Sequence, residues 1–147
     1  MDGTYNYWKS TFLKAISDEA IDVIIDHGNQ AQSPLSGIVI EFYGGAATRV
    51  KVGDTAFAQR QAEYNIVIAA QWRDAAENDQ HIGWAHRLWD ALKPYSSGGQ
   101  VLTLTSDVSE EAMRAGFGSN YARLVELKTK YDPTNFFSRN QHTKTAR

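Results

Sequence analysis

The segment Tyr64 to Trp72 is the strongest β-strand signal in the chain, and it limits the possible folds more than any other stretch. It reads Y-N-I-V-I-A-A-Q-W, with apolar residues at alternate positions. Alternation places Ile66, Ile68 and Ala70 on one side of the strand. That side has to be covered by another layer, so the sequence predicts a sheet with helices packed on one face.

Hydrophobic periodicity and the residues that start or stop helices predict the remaining elements. They are strands over 5–10, 36–43, 48–52 and 100–105, and helices over 17–30 and 74–92. A further amphipathic helix ends near Tyr131, because Asp132 precedes Pro133 and is pushed out of the helical conformation. The order is that of a ferredoxin-like βαββαβ unit. We therefore expect an α+β fold: an antiparallel sheet of about four to five strands with helices on one face, plus a C-terminal helix.

Length sets the expected domain organisation. With 147 residues, the chain is long enough to bury a core of its own and is predicted to form a single domain. We place the βαββαβ sheet within residues 1–107 and the C-terminal helix with its tail within 108–141. Residues 142–147 are expected to fray.

Composition and charge exclude several classes of function. The chain has no cysteine, which excludes disulfides and thiolate metal sites and predicts a cytoplasmic protein. Its 15 basic and 17 acidic residues give a net charge of −2, which leaves no basic field to attract nucleic acid or an anionic membrane. No apolar stretch approaches the ~20 residues that span a bilayer, and the N-terminus does not read as a signal peptide. We expect neither a nucleic-acid nor a membrane partner.

The two faces of the predicted sheet differ in character. The helices are expected to cover the apolar side chains Ile38, Ile40, Phe42, Ile66, Ile68, Ala70, Leu102 and Leu104. The opposite face is small and polar, and four of its side chains are candidates for contact with a substrate: Glu41, Tyr43, Gln71 and Thr105. This face is either the solvated surface of an antiparallel sheet or a surface that meets a ligand or another domain.

Few side chains have the spacing of a catalytic or metal site. Glu41 is a candidate for a catalytic base, and the alternative is an ordinary hydrogen-bonded residue of the sheet. His81 and His86 are five residues apart on a predicted helix, which is not the i, i+4 spacing of two metal ligands. We therefore predict surface or capping histidines and no metal. No serine lies in a G-x-S-x-G context, which argues against a hydrolase.

The C-terminal third carries motifs that a helix alone does not require. They are Phe117-Gly118-Ser119-Asn120, the stretch from Lys128 to Phe137, and Asn140-Gln141. In this series the chain resembles the berberine-bridge-enzyme-like FAD-linked oxidoreductases of the vanillyl-alcohol-oxidase/PCMH superfamily. Further residues extend the resemblance over nearly the whole chain: Tyr7-Trp8-Lys9-Ser10, Gly44-Gly45-Ala46, Gln71-Trp72, Trp84 and Pro94-Tyr95-Ser96. The chain is similar to the C-terminal region of a full-length family member.

This resemblance implies a role beside a flavin. In the family an N-terminal domain holds FAD, while a second domain lays an antiparallel sheet over the isoalloxazine and forms the substrate pocket. The chain looks like much of that second domain, and the resemblance implies that Thr103, Asn135 and Gln141 approach the cofactor. No Gly-rich diphosphate loop lies between a strand and a helix. FAD is therefore expected only with a partner domain, and no cofactor is expected in this chain alone.

One departure from the family concerns the catalytic base. Before the C-terminal helix the family commonly has a strand reading Tyr-x-Asn, whose tyrosine can take the substrate proton. Counting back from Ser106 and Asp107 places Val101 at the tyrosine position and Thr103 at the asparagine position. Valine cannot accept a proton, and a missing general base costs about 10²–10⁴-fold in rate.

Two hypotheses follow from these observations. The first is a substrate-binding, flavin-capping domain of an FAD-linked oxidoreductase or oxidase acting on a small organic substrate, which needs an FAD-binding domain or subunit for catalysis. The second is a stand-alone, flavin-free α+β protein derived from that domain, which uses the polar sheet face to bind a ligand or to form a homodimer. Val101 favours the second hypothesis, and the intact C-terminal motifs favour the first.

Overall fold

Three strands, five α-helices and five short 3₁₀ helices lie in the part of the chain that the computed structural model describes, residues 3–107 and 109–138. The strands are β1 (Tyr5–Leu13), β2 (Gly37–Phe42) and β3 (Tyr64–Trp72). The helices are α1 (Asp18–Gly28), α2 (Ala46–Arg49), α3 (Asn78–Leu92), α4 (Glu110–Phe117) and α5 (Tyr121–Tyr131). The tail predicted over 142–147 lies outside the described residues.

β3 is the central strand of an antiparallel sheet with the order β1-β3-β2. Its bounds are those predicted from the sequence. Ile68 lies opposite Lys9 of β1 and Ile38 of β2, which fixes the register of the whole sheet. Because side chains alternate along a strand, Ile66, Ile68 and Ala70 of β3 share one face.

The helices α1 and α3 cover that face of the sheet. The hydroxyl of Ser17 accepts a hydrogen bond from the amide of Ala20 at 3.3 Å and so caps α1. Trp84 of α3 donates its indole N–H to the carbonyl oxygen of His27 at 2.7 Å, which ties α3 to the last turn of α1. Both helices were predicted, although the first turn of the second one, Ala75–Glu77, is a 3₁₀ helix.

The hydrophobic core lies between the sheet and these two helices. Its buried members are Leu13, Ala20, Ile66, Ile68, Ala70, Trp72, Trp84, Ala85, Leu88 and Leu92. The predicted inward side of β3 is therefore confirmed. Within the described ranges, no helix is long and apolar enough to cross a lipid bilayer.

Two predicted strands do not form. Residues 48–52 belong to α2 and the turn after it, because the Thr48 hydroxyl donates to the carbonyl oxygen of Gly45 at 3.0 Å and holds a helical turn. Within 100–105, Leu102–Leu104 form a 3₁₀ helix. The described sheet therefore has three strands instead of four to five, and the βαββαβ order is not completed.

The failure of the fourth strand has a simple geometric cause. The segment after α3 runs antiparallel to β1, with the Phe12 amide donating to Gly99 at 3.1 Å and the Ser106 amide donating to Trp8 at 2.7 Å. Trp8 and Phe12 are four residues apart, whereas Gly99 and Ser106 are seven residues apart. The surplus residues cannot all pair with β1, and they form the 3₁₀ helix instead.

The Ser10 side chain bridges the interrupted part of this edge. Its hydroxyl accepts from the amide of Val101 at 2.9 Å and lies 3.3 Å from the carbonyl oxygen of the same residue. A serine hydroxyl thus replaces the backbone partner that a regular strand would have used.

The second half of β2 also differs from the prediction. Ile40 and Phe42 were expected in the core but are 49% and 66% exposed. α1 ends against the start of β2, where a Cβ on Gly28 would lie 3.4 Å from Cδ1 of Ile38. β2 is an edge strand, so its later residues extend beyond this helix. Leu102 and Leu104 are half-buried in their turn and are not strand residues.

α4 and α5 pack on the irregular segment between β2 and β3. The Asn120 side chain donates to the carbonyl oxygens of Val52 at 2.7 Å and Thr55 at 3.0 Å. Gln59 donates to the carbonyl oxygen of Ala115 at 3.0 Å. These amide contacts join the C-terminal third to the segment between β2 and β3, and α5 ends at Tyr131 as predicted.

Leu88→Ala is expected to lower the free energy of unfolding by about 2–5 kcal/mol, because the fully buried side chain would leave a cavity. Ile25, also an aliphatic residue on a helix, is 53% exposed, and Ile25→Ala should change stability by only about 0.5 kcal/mol. Urea unfolding followed by circular dichroism measures both values. Equal losses would contradict this placement of the core.

Candidate functional site

The face of the sheet opposite α1 and α3 is polar, as predicted, but its centre is not solvated. Asn65 is 0% exposed and Val67 is 3% exposed, although no helix of the α1/α3 layer covers this side. At the Asn65 end the segment after β2 contributes to the cover, because its Tyr43 and Phe57 rings stack with centroids 5.8 Å apart and both meet Phe12, the β1 partner of Asn65. One end of this face is therefore enclosed within the chain.

Glu41 and Asn65 form the polar centre of that enclosed end. They are direct cross-strand partners, and the Asn65 side-chain amide donates to the Glu41 carboxylate at 2.7 Å. The other Asn65 side-chain atom, Oδ1, is buried and has no hydrogen-bond partner. Since buried polar atoms are nearly always paired, this free acceptor is an unusual group and marks a place where a donor would be stabilised.

Aromatic side chains lie beside Glu41 and Asn65. Phe12 of β1 is fully buried and meets Tyr43 edge-on, with ring centroids 5.2 Å apart. The Arg60 guanidinium lies 4.8 Å from the Phe57 ring. Burial, reinforced by the negative charge of Glu41, raises the pKa of Tyr43 above its ordinary value. Tyr43 therefore releases its proton less readily than an ordinary tyrosine, and its hydroxyl remains a hydrogen-bond donor.

The other two predicted substrate-facing residues lie elsewhere on the same face. Gln71 is six residues from Asn65 along β3, which corresponds to about 20 Å of strand. Its β1 partner is Asn6. Thr105 is buried nearby and accepts a hydrogen bond from the Asp107 amide at 3.2 Å. The structure thus divides the four candidates into Glu41 with Tyr43 at one end and Gln71 with Thr105 at the other.

A shallow depression of about 390 Å³ lies at this second end. Its lining consists of Asn6, Trp8, Thr103, Thr105 and Ser106. Thr103, a predicted cofactor contact, is exposed in the 3₁₀ turn that replaces the fourth strand. Val101, at the position expected for the tyrosine base, is half-buried and bonded to the Ser10 hydroxyl through its backbone.

Asn135, a second predicted cofactor contact, has a left-handed backbone with φ of 55°. Its Oδ1 is buried without a hydrogen-bond partner. Asparagine tolerates this conformation better than most residues. Gln141, the third predicted contact, lies outside the described residues.

Asp132 organises the turn that contains Asn135. Its carboxylate accepts hydrogen bonds from the backbone amides of Phe136 at 2.7 Å and Phe137 at 3.2 Å. The Lys128 ammonium pairs with the same carboxylate and also donates to the carbonyl oxygen of Phe137 at 2.9 Å. The motif around Asp132-Pro133 is therefore a hydrogen-bonded turn closed by one ion pair, and the Phe136 and Phe137 rings remain exposed.

The sequence reasoning missed Asn65 and misplaced one histidine. Asn65 was assigned to the polar face but was not singled out; its alignment with Glu41 depends on strand register, which local sequence does not specify. His81, predicted as a surface or capping histidine, is 2% exposed and stacks on Trp72 with centroids 5.2 Å apart. Within residues 3–107 and 109–138, no group of three or more His, Cys, Asp or Glu is placed to hold a metal ion.

Comparisons with known proteins agree on one family. Residues 77–142 match the family described as "Berberine and berberine like". The uncharacterised FAD-linked oxidoreductase YvdP of Bacillus subtilis is 30% identical over 121 residues, covering 82% of this chain and 27% of that protein. Tetrahydroberberine oxidase of Berberis wilsoniae is 29% identical over 121 residues, covering 71% of this chain and 23% of that protein.

A solved structure shows the same fold. The wild-type BBE-like 1 protein of Physcomitrella patens superimposes with a TM-score of 0.86 at 24% identity, covering 98% of this chain and 31% of that one. The chain thus spans between about a quarter and a third of the length of these proteins.

Acidification is expected to open the turn around Asp132. The Lys128 hydrogen bond, followed by the two backbone amides, lowers the pKa of Asp132, so the carboxylate stabilises the turn above its ordinary pKa. That contribution is lost as the pH falls through the lowered value. NMR titration of the Phe136 and Phe137 amides should report a midpoint below that of an ordinary aspartate.

Two variants separate this effect from general acid unfolding. Asp132→Asn should abolish the acid transition at both amides, whereas Glu126→Gln, at an exposed position on α5, should preserve it. A midpoint at or above the ordinary aspartate value would show that the ion pair does not hold the turn.

Proposed function

The chain belongs with the berberine-bridge-enzyme-like FAD-linked oxidoreductases, and we propose that it forms the substrate-binding, flavin-capping part of such an enzyme. The substrate is a small organic molecule. The FAD-binding portion is supplied outside the residues of this chain, which contain no Gly-rich diphosphate loop. Catalysis belongs to the two portions together.

The observation that carries the proposal is the buried Asn65 Oδ1 beside Glu41. A buried polar group without a hydrogen-bond partner costs free energy. If this face served stability alone, Asn65 Oδ1 would be expected to have a partner. The neighbouring accessible surface along β2 and β3 includes Val39, which is 50% exposed, and Ala69, which is partly exposed, and both are small and uncharged. Such a surface suits a flat, mostly apolar ring with a few polar edges, which is the shape of an isoalloxazine and of many small substrates.

The residues of this face would orient a substrate and accept its proton. FAD, when bound beside the face, supplies the acceptor for the electrons removed from the substrate. The Glu41 carboxylate accepts a proton or a hydrogen bond from a substrate hydroxyl, and Asn65 holds that carboxylate in place through the 2.7 Å bond. The Tyr43 hydroxyl, which is protonated like that of an ordinary tyrosine near neutral pH, donates a hydrogen bond to the substrate.

Glu41 is a better candidate for the catalytic base than Val101, the residue at the position predicted from the family pattern. Val101 has no proton acceptor in its side chain, and its backbone is already bonded to Ser10. Tyr43 releases its proton less readily than an ordinary tyrosine because its pKa is raised. This leaves the Glu41 carboxylate as the acceptor at the enclosed end of the face.

Val39 and Ile40 provide a matched test of which face meets the flavin. They are adjacent β-branched residues of β2 with nearly equal exposure, 50% and 49%, but they point to opposite faces of the sheet. In a chimera in which this chain replaces the matched region of YvdP, Val39→Arg should shift the flavin absorption bands or release the flavin. Ile40→Arg should leave the spectrum unchanged.

The same experiment tests the flavin-free alternative. If the chimera binds no flavin, or if Val39→Arg leaves the flavin spectrum unaltered, the polar face does not cap a flavin. If, in addition, the chain alone is a dimer that Val39→Arg dissociates, the face is a dimer interface instead. Sedimentation velocity on the colourless chain measures that outcome.

Glu41→Gln is expected to lower kcat of the flavin-loaded chimera by about 10²–10⁴-fold, because glutamine cannot accept the substrate proton. Oxygen consumption identifies a substrate that the chimera oxidises and then measures kcat. Glu63→Gln is the matched control, since Glu63 is exposed and contributes only its backbone carbonyl, which accepts from the Tyr43 amide at 2.6 Å. Near-normal turnover by Glu41→Gln would exclude Glu41 as the base.

A further inference from the structure

A cavity of about 520 Å³ lies at the outer edge of β1, between α3, α4 and the loop that follows α3. Its volume is within the range of about 300–1,000 Å³ that is typical of small-molecule sites. Lys9, which contributes to its lining, is opposite Ile68 and therefore points to the helix-covered side of the sheet. The Lys9 side chain is thus on the other side of the sheet from Glu41 and Asn65.

Most polar side chains that line the cavity already have a protein partner. The Lys93 ammonium is paired with Asp90, the Thr11 hydroxyl with Ser96, the Gln100 amide with the Ala112 carbonyl, and the Asp107 carboxylate with the Ser109 amide. These contacts are 2.7, 2.7, 2.9 and 2.9 Å long. Each of these groups therefore already has a partner within the chain.

Lys9 is the exception. Its side chain belongs to a residue only 5% exposed, and its ammonium makes no direct hydrogen bond or ion pair with any described residue. The Nζ atom lies 4.1 Å from the centroid of the Trp89 ring, and the ammonium of Lys93 lies 4.4 Å from the same ring. A cation–π contact replaces only part of the hydration that an ammonium loses on partial burial, and Asp107 and Asp90 act on Lys9 only through their charge. The cavity therefore contains a cation without a direct hydrogen bond to any described residue.

We propose that this cavity binds a small organic acid, whose carboxylate pairs with the Lys9 ammonium. The group without a direct hydrogen bond is a cation, so an anionic acceptor on the ligand binds it more strongly than a neutral one, because charge-assisted hydrogen bonds are the stronger kind. Asp90, Asp107 and Glu111 also line the cavity and would repel a ligand with several negative charges. A single carboxylate supplies an anionic acceptor and carries less negative charge than phosphate, so it fits this cavity better.

Ligand binding is coupled to the protonation of Lys9. Burial lowers the pKa of Lys9, and Lys93 lowers it further, while Asp107 and Asp90 raise it. The other titratable groups around the cavity are His86 on α3 and Glu111 on α4. A bound carboxylate favours the charged ammonium, so binding raises the pKa of Lys9. By linkage, affinity should fall as the pH rises through the pKa of Lys9 in the free protein.

The experiment is a titration of the 147-residue chain with sodium benzoate and sodium acetate at constant ionic strength. Lysine side-chain NMR signals report binding and the pKa of each ammonium. Lys9 should shift to saturation and its pKa should rise, whereas the exposed Lys14 should respond only to bulk salt. Lys9→Met should weaken binding at least about tenfold, and Lys14→Met should leave the affinity unchanged.

Several outcomes would overturn the proposal. They are unchanged affinity in Lys9→Met, equal responses of Lys9 and Lys14, and Lys9-dependent binding of inorganic phosphate without any binding of carboxylates. If Lys9→Met does not fold, reductive methylation of the unaltered chain decides instead. Selective protection of Lys9 by benzoate supports the site, and no protection refutes it.

Discussion

The burial of β3 on both of its faces is the constraint on which the rest of the structure depends. On one side its isoleucines pack in the core with α1 and α3, and on the other Asn65 and Val67 are buried as well. A buried polar side chain needs a hydrogen-bond partner, and Asn65 donates to Glu41 on the neighbouring strand. The packing that stabilises the sheet therefore also creates the candidate site.

The parts of the fold that depend on local sequence could be predicted. The bounds of β3, the Ser17 cap of α1 and the end of α5 at Tyr131 follow from alternation, a capping hydroxyl and an Asp-Pro stop. The fourth strand could not be excluded in this way. Its failure results from a difference in spacing between two distant segments, four residues on β1 against seven residues opposite, which no local pattern encodes.

The candidate site was predictable only in part, because it also depends on how distant segments align. Glu41 was assigned to the polar face correctly, because side chains alternate along β2. Tyr43 lies one residue beyond β2 and meets Phe12, whose side chain is on the same face. Asn65 acquires its importance only from a register that pairs it with Glu41. Gln71 shares the face but lies at its far end, since alternation gives the side of a sheet and not the position along it.

The interrupted pairing along β1 has a consequence for how the sheet can grow. The segment around Gly99 to Ser106 occupies the outer edge of β1 at both ends, and the 3₁₀ turn between them offers no continuous row of amides and carbonyls. Within the described residues, β2 pairs only with β3. A further strand can therefore join the sheet beside β2, whereas the outer edge of β1 is already occupied by the segment that follows α3.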